Sequence, residues 1–191
     1  MNTYHKRLSL PFEFNPKFPK FPENWNWGGS NLIPYKPRPA DLKNWLTSLG
    51  YKIEFFDTFI IKPFSRLGVH LDGNIFDNKA KLNFVYGDGK MCWYKLREGK
   101  THKVSYTKEG TEYFEPYNLE DLEEVYRASI GRPSLINAGQ FHSVENDSAQ
   151  HRYCFTVWLK HIETNYWVNW NDAFEKFKPY FVNDSEEVST I

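Results

Sequence analysis

Hydrophobic and polar residues alternate over several short stretches of this chain, and turn-forming residues separate these stretches. Such alternation predicts β-strands that bury one face. We predict one or two strands in residues 51–62, and single strands in 67–72, 79–86, 91–96, 135–137, 140–144 and 152–159. The sequence Gly87-Asp88-Gly89 predicts a tight turn within a hairpin. Many short strands with turns between them favour an antiparallel double-sheet jelly roll.

Two other segments show the three- and four-residue spacing of amphipathic helices. The first follows Pro39 and ends before Gly50, and its apolar face is formed by Leu42, Trp45, Leu46 and Leu49. The second begins near Trp170 and runs to about Pro179, with an apolar stripe of Ala173, Phe174 and Phe177. Residues 119–127 fit either a short helix or a strand, and we favour a strand at their end.

The remaining segments lack a regular pattern. Residues 1–39 hold seven of the eleven prolines together with Phe and Trp, which predicts an irregular segment laid across the domain. A lid or aromatic wall over a functional site is the alternative. Residues 97–118 are polar and are predicted to form an insertion with its own short hairpin. We interpret residues 1–191 as one domain, with a β core at 51–159 and a helix and frayed tail at 161–191.

Composition narrows the classes of partner. The chain carries 24 basic and 24 acidic side chains, so net charge gives no strong signal for nucleic acid or anionic membrane. No apolar run approaches the roughly 20 residues that span a bilayer. The first residues lack the apolar stretch of a secretory signal. Cys92 and Cys154 form no Cys-x-x-Cys pattern, so we expect a cytoplasmic protein with two free thiols.

His70 and Asp72 lie two residues apart in a predicted strand. On an extended strand this spacing puts both side chains on the same face. An imidazole beside a carboxylate is part of a 2-His-1-carboxylate site for non-haem iron, which needs one more imidazole and leaves coordination positions open. We interpret His142 as that imidazole. Arg152 follows ten residues later, and a guanidinium binds a carboxylate through two parallel hydrogen bonds.

This order of residues resembles the 2-oxoglutarate- and iron(II)-dependent oxygenase superfamily. The likeness covers about residues 53–158 and is closest to small, mostly uncharacterised members encoded by marine viruses, of the cyanophage-like kind. It implies a double-stranded β-helix, which is a cupin-like jelly roll. It also implies that His70, Asp72 and His142 bind Fe(II), that Arg152 binds the cosubstrate 2-oxoglutarate, and that O2 is the oxidant.

Further candidates line the same predicted pocket. Strand alternation from Arg152 puts Cys154 and Thr156 on its face, and we expect one of them to contact the cosubstrate. The resemblance implies that Asn83 contacts the cosubstrate or a metal-bound water. Tyr94 is a further candidate of the same kind.

The resemblance implies a dioxygenase that couples oxidative decarboxylation of 2-oxoglutarate to succinate with hydroxylation of an unidentified small molecule or peptide. Hydroxylation is favoured because halogenating relatives have a small residue where this chain has Asp72. Two alternatives stay open: a non-catalytic jelly-roll binding module that holds a metal, and a metal-dependent cupin with other chemistry. If the protein is viral, the host cytoplasm is its expected location.

Overall fold

The computed structural model describes residues 4–19, 30–36, 38–73, 78–106, 112–131 and 133–182. These residues form two antiparallel six-stranded sheets and two α-helices. The strands are β1 His5–Arg7, β2 Ser30–Pro34, β3 Tyr51–Ile61, β4 Ser65–Asp72, β5 Ala80–Tyr86, β6 Lys90–Leu96, β7 His102–Tyr106, β8 Glu112–Pro116, β9 Leu122–Ala128, β10 Ser134–Asn137, β11 Phe141–Asn146 and β12 Arg152–His161. The helices are α1 Ala40–Ser48 and α2 Trp170–Phe177, and two 3-10 turns cover Leu119–Asp121 and Lys178–Tyr180.

The strand order identifies the fold. The first sheet runs β1-β10-β5-β12-β3-β2, and the second runs β7-β8-β4-β11-β6-β9. Apart from the inserted hairpin of β7 and β8, the chain passes from one sheet to the other at every step from β3 to β12 except between β6 and β9. This winding makes the mainly β fold a double-stranded β-helix, or jelly roll, as predicted from the sequence.

Most predicted elements are present with boundaries shifted by a few residues. The ambiguous segment 119–127 is a 3-10 turn followed by β9, and the insertion forms the hairpin of β7 and β8. Helix α1 buries Leu42, Trp45 and Leu46. Helix α2 is capped by Asn169, whose side chain accepts a hydrogen bond from the Asp172 backbone N–H at 3.0 Å.

The proline-rich segment differs from the prediction of an irregular chain, because β1 and β2 are strands. Both lie at the outer edges of the first sheet. An edge strand pairs with a neighbour on one side only, so it tolerates prolines, which have no N–H to donate, better than a central strand does. The part of the suggested lid that contains Trp25 and Trp27 lies outside the described residues, as does the predicted frayed tail from residue 183.

Two apolar layers flank the first sheet. On its outer face, Leu82, Phe84 and Phe155 pack in one cluster with α1, α2 and aromatic residues of the N-terminal segment. Between the sheets, a second cluster joins residues from both: Ile61, Val85, Met91, Trp93, Ile136, Val144 and Cys154. The polar residues that interrupt the inner layer form the candidate site.

Neither α1 nor α2, the two α-helices of the described residues, has the length and apolar character of a membrane-spanning helix.

Candidate metal and anion site

The end of β4 and the start of β11 bring three potential metal ligands together. His70 and His142 lie directly opposite each other in the antiparallel pair, and their ring centroids are 4.5 Å apart. Asp72 shares their face because it follows His70 by two residues on the strand. One ligand atom from each of the three residues lies within 4.8 Å of the others. This arrangement can hold one metal ion.

Backbone carbonyl groups orient both imidazoles. His70 Nδ1 lies 2.9 Å from the Gly68 carbonyl oxygen, and His142 Nδ1 lies 2.8 Å from that of Gln140. Since a carbonyl only accepts, each Nδ1 carries the proton and donates it. The free Nε2 atoms face Asp72, at 3.7 Å from Oδ1 for His70 and 3.5 Å from Oδ2 for His142. Both histidines therefore present a lone pair to the same point.

Electrostatics keep the ligands in their metal-binding protonation states. The pKa of His142 falls to about 3, because its burial and the neighbouring His70 both lower it and together outweigh the opposing effect of Asp72. Burial by itself would raise the pKa of Asp72, but the Lys81 ammonium, which also donates a hydrogen bond to it, and the neighbouring His70 and His142 bring that pKa below its ordinary value. A neutral imidazole and an ionised carboxylate are the forms that bind a metal.

Lys81 is a site residue that the sequence reasoning missed. Its Nζ lies 2.5 Å from Asp72 Oδ2 and 3.4 Å from the centroid of the Trp158 ring, and its side chain is buried. A signal existed in the sequence: alternation along β5 puts Lys81 on the face of Asn83, which was already a candidate.

These residues line one pocket between the two sheets, with an empty volume of about 470 Å³ that includes its opening. The side chain of His70 is 16% exposed and that of His142 is 5% exposed, so His70 is the more accessible of the two imidazoles. Six apolar side chains form much of the wall: Phe59, Ile61, Leu67, Met91, Ile136 and Val144. Such a wall limits the entry of water.

Arg152 also lines this pocket, at the first position of β12, and is 2% exposed. Among the described residues it has no ion-pair partner, and its Nε is buried without a hydrogen-bond acceptor. Burial lowers the pKa of Arg152, although a guanidinium stays charged in proteins. A buried cation without an acidic partner is costly, and an anion bound in the pocket would remove that cost.

The other predicted site residues divide into two groups. Asn83, Cys154 and Thr156 line the pocket, and the Thr156 hydroxyl donates a hydrogen bond to Asn83 Oδ1 at 2.7 Å. Tyr94 does not line it: its hydroxyl lies 3.2 Å from Ser143 Oγ, and its ring packs in a cluster with Leu71. Leu71 stands between His70 and Asp72 on β4, so Tyr94 lies on the opposite face of this sheet from the site.

The donor set fits the groups that the resemblance implies. Two imidazole nitrogens and one carboxylate, with further positions open, suit non-haem Fe(II). The unpaired guanidinium of Arg152 suits the distal carboxylate of 2-oxoglutarate. Both lie in one pocket, so one bound cosubstrate could contact metal and arginine together.

Comparisons with known proteins show only distant structural likeness. No protein family and no curated protein matches this sequence. An oxalate oxidase in complex with the substrate analogue glycolate is 12% identical over 75% of this chain and 57% of its own, with a TM-score of 0.39. A Thermotoga maritima protein described as a predicted oxalate decarboxylase is 12% identical over 67% of this chain and 77% of its own, with a TM-score of 0.34. A hydroquinone 1,2-dioxygenase is 10% identical over 71% of this chain and 68% of its own, with a TM-score of 0.34.

Proposed function

We propose that this protein is a non-haem Fe(II)- and 2-oxoglutarate-dependent oxygenase that hydroxylates a small molecule or peptide and converts 2-oxoglutarate to succinate. One observation carries the proposal: Arg152, which is buried and has no acidic partner among the described residues, lies in the same pocket as the His70, Asp72 and His142 cluster. The cluster alone fits many metal sites. Its combination with an unpaired buried cation calls for an anionic ligand beside the metal.

Each residue has a physical task in this proposal. The Nε2 atoms of His70 and His142 and a carboxylate oxygen of Asp72 would hold Fe(II), and this set of three protein ligands would leave coordination positions available. When bound, the iron supplies O2 activation and the oxidative chemistry. The Gly68 and Gln140 carbonyl groups keep both imidazoles in the tautomer that exposes Nε2.

Arg152 and the pair of Thr156 and Asn83 orient the cosubstrate. Arg152 binds its distal carboxylate through two hydrogen bonds, and burial makes this contact stronger than it would be in water. Because Thr156 donates its hydroxyl proton to Asn83 Oδ1, the amide NH2 group of Asn83 is free to donate to a cosubstrate oxygen. The apolar wall keeps water from the reacting atoms.

The two cysteines support a cytoplasmic location for this reaction. Cys92 and Cys154 are buried free thiols, and reduced thiols are typical of the cytoplasm. We therefore propose that the reaction takes place in the cytoplasm.

The decisive test is an anaerobic titration of the metal-free protein with Fe(II) and then 2-oxoglutarate, followed by visible absorption. Chelation of iron by the keto acid produces a weak charge-transfer band, which we expect in the wild type and not in His142→Ala. His102→Ala is the matched control because His102 lies on β7 and contacts Phe114 instead of the pocket. If iron binds but no band forms, the site belongs to a metal-holding binding module and the proposal fails.

A further inference from the structure

Lys81 occupies an unusual position for a buried lysine. Its ammonium contacts Asp72 at 2.5 Å and lies over the Trp158 ring at 3.4 Å, with the side chain only 6% exposed. Register explains the second contact, since Lys81 and Trp158 are directly opposite each other on β5 and β12. The lysine is therefore held between a metal-ligand carboxylate and an aromatic face.

Lys81 contacts the carboxylate where a metal ion would approach. The oxygen that it contacts, Asp72 Oδ2, is the one that lies 3.5 Å from His142 Nε2. A metal bound by both imidazoles must share this single negative charge with the ammonium. Two cations that share one buried carboxylate repel each other, and water is too scarce here to screen them. The metal and the Lys81 ammonium thus oppose each other at Asp72.

An anion bound in the pocket would give the Lys81 ammonium an alternative partner to Asp72. Lys81 and Arg152 both line it, and Asp72 is the one carboxylate in the described pocket lining. An ammonium on a flexible four-carbon stem can turn from one acceptor to another without backbone movement. A dianion bound to Arg152 at one end could receive Lys81 at the other, and this would free Asp72 for the metal.

We propose that Lys81 competes with the metal for Asp72 and thereby couples the binding of metal to the binding of a dianionic cosubstrate. Without the anion, Lys81 holds the carboxylate and keeps metal affinity low. With the anion, Lys81 transfers its contact to the ligand, and the metal gains a full carboxylate. Linkage requires that the metal favour the anion by the same factor. The inference rests on the proposed function, and the protein would load iron mainly when the cosubstrate is present.

The test measures Mn(II) binding to the ligand-free protein from the loss of the electron paramagnetic resonance signal of free Mn(II). We expect Lys81→Met to bind Mn(II) about tenfold more tightly than the wild type, because the competing charge is gone. Lys81→Gln is measured beside it, so that a folding defect in one variant leaves the other to decide. Lys160→Met is the matched control, since Lys160 also lies over a tryptophan ring, at 4.7 Å from Trp167, but pairs with Glu54 instead of Asp72.

Succinate then measures the coupling. It carries two carboxylates but no keto group, so it cannot chelate the metal as 2-oxoglutarate does. We expect succinate to tighten Mn(II) binding about fivefold in the wild type and in Lys160→Met, and to have no effect in the two Lys81 variants. Circular dichroism confirms that each variant is folded.

The outcomes separate the two proposals. If the Lys81 variants bind Mn(II) more weakly than the wild type, Lys81 orients Asp72 for the metal and the competition is refuted. Equal affinities with equal succinate effects would also refute it, and neither result touches the proposed function. If instead His142→Ala binds Mn(II) as tightly as the wild type, the metal site itself is wrong.

Discussion

At the scale of single residues, the charge of the pocket is the informative property. Arg152 and Lys81 are positive and Asp72 is negative, so the described pocket carries one net positive charge before any metal is added. A divalent metal raises this to three positive charges. An ordinary hydrophobic interior avoids such an imbalance, because unpaired buried charge is costly. The proposed anionic cosubstrate would offset this positive charge.

Replacement of Arg152 by methionine separates a ligand-binding arginine from a structural one. We expect Arg152→Met to weaken 2-oxoglutarate binding about 100-fold, because two charge-assisted hydrogen bonds are lost. The melting temperature of the ligand-free protein should not fall, since the variant removes a buried cation that has no acidic partner in the described residues. Calorimetric titration and thermal melting give the two values.

Arg127→Met is the control for that prediction. Arg127 pairs with Glu124 at 2.8 Å and with Glu145 at 2.6 Å on the protein surface, so its loss should leave cosubstrate affinity unchanged. A clear loss of melting temperature in ligand-free Arg152→Met would contradict the prediction and identify Arg152 as structural.

At the scale of elements, the turn between β5 and β6 determines where Arg152 can lie. Gly89 adopts a φ of +128°, and a Cβ built there would lie 2.3 Å from the Glu145 carbonyl oxygen and 2.9 Å from Arg152 Cδ. Only glycine permits both this backbone conformation and this close approach. The turn predicted from Gly87-Asp88-Gly89 therefore also packs against the Arg152 side chain, for which we propose a role in anion binding.

We expect Gly89→Ala to lower both stability and 2-oxoglutarate affinity, because its Cβ displaces Glu145 or Arg152. Gly99→Ala is the matched control: Gly99 also has a positive φ, +73°, but nothing lies within 4 Å of its added Cβ. The control should lose about 1 kcal/mol of stability, because alanine is strained in the left-handed region, and no affinity. Denaturant unfolding and calorimetric titration make the comparison, and equal losses in both variants would refute the role of the turn.

A buried tyrosine links β3 to α2. The Tyr51 hydroxyl donates a hydrogen bond to Asp172 in the first turn of α2. Burial raises the pKa of Tyr51 above its ordinary value, and the hydrogen bond and negative charge of Asp172 raise it further. The folded protein thus keeps a proton that the unfolded chain loses above about pH 10, so stability falls as the pH rises beyond that value.

Tyr51→Phe tests this pH dependence. We expect the variant to be less stable than the wild type at pH 7, because it lacks the hydrogen bond, yet to lose melting temperature less steeply between about pH 9 and pH 11. Tyr166→Phe is the control, since Tyr166 is 76% exposed, and should follow the wild type throughout. Parallel pH profiles for Tyr51→Phe and the wild type would contradict the assignment.

At the scale of the whole molecule, the site joins the two sheets. Lys81, Asn83, Arg152 and Thr156 come from the first sheet, whereas His70, Asp72 and His142 come from the second. A ligand that binds residues of both sheets connects them, and stabilises the folded state by mass action because the unfolded chain has no such site.

We therefore expect metal and 2-oxoglutarate to raise the melting temperature in sequence. At a concentration 100 times its dissociation constant, each ligand adds about 2.7 kcal/mol, which for a chain of this size is a rise of about 5–10 °C. Differential scanning fluorimetry under anaerobic conditions measures both shifts. His142→Ala should lose both, and a wild-type shift with metal but none with 2-oxoglutarate would favour the binding module.

Local periodicity made much of this molecule predictable. Alternation over two residues depends only on neighbours along the chain, so it indicated most strands and the shared face of His70 and Asp72. The three- and four-residue spacing indicated both helices in the same way. Proline density was misleading for β1 and β2, because edge strands tolerate interruptions that central strands do not.

The sequence by itself therefore determined most of the elements, the jelly-roll class and the residue types that could form a metal and anion site. Only the tertiary structure decided which side chains meet, because cross-strand register depends on packing over the whole chain. Register placed Lys81 against Asp72 and Trp158, paired Thr156 with Asn83, and put Tyr94 on the far face of its sheet. It also left Arg152 buried without an acidic partner among the described residues, a property of the folded pocket that no stretch of sequence displays.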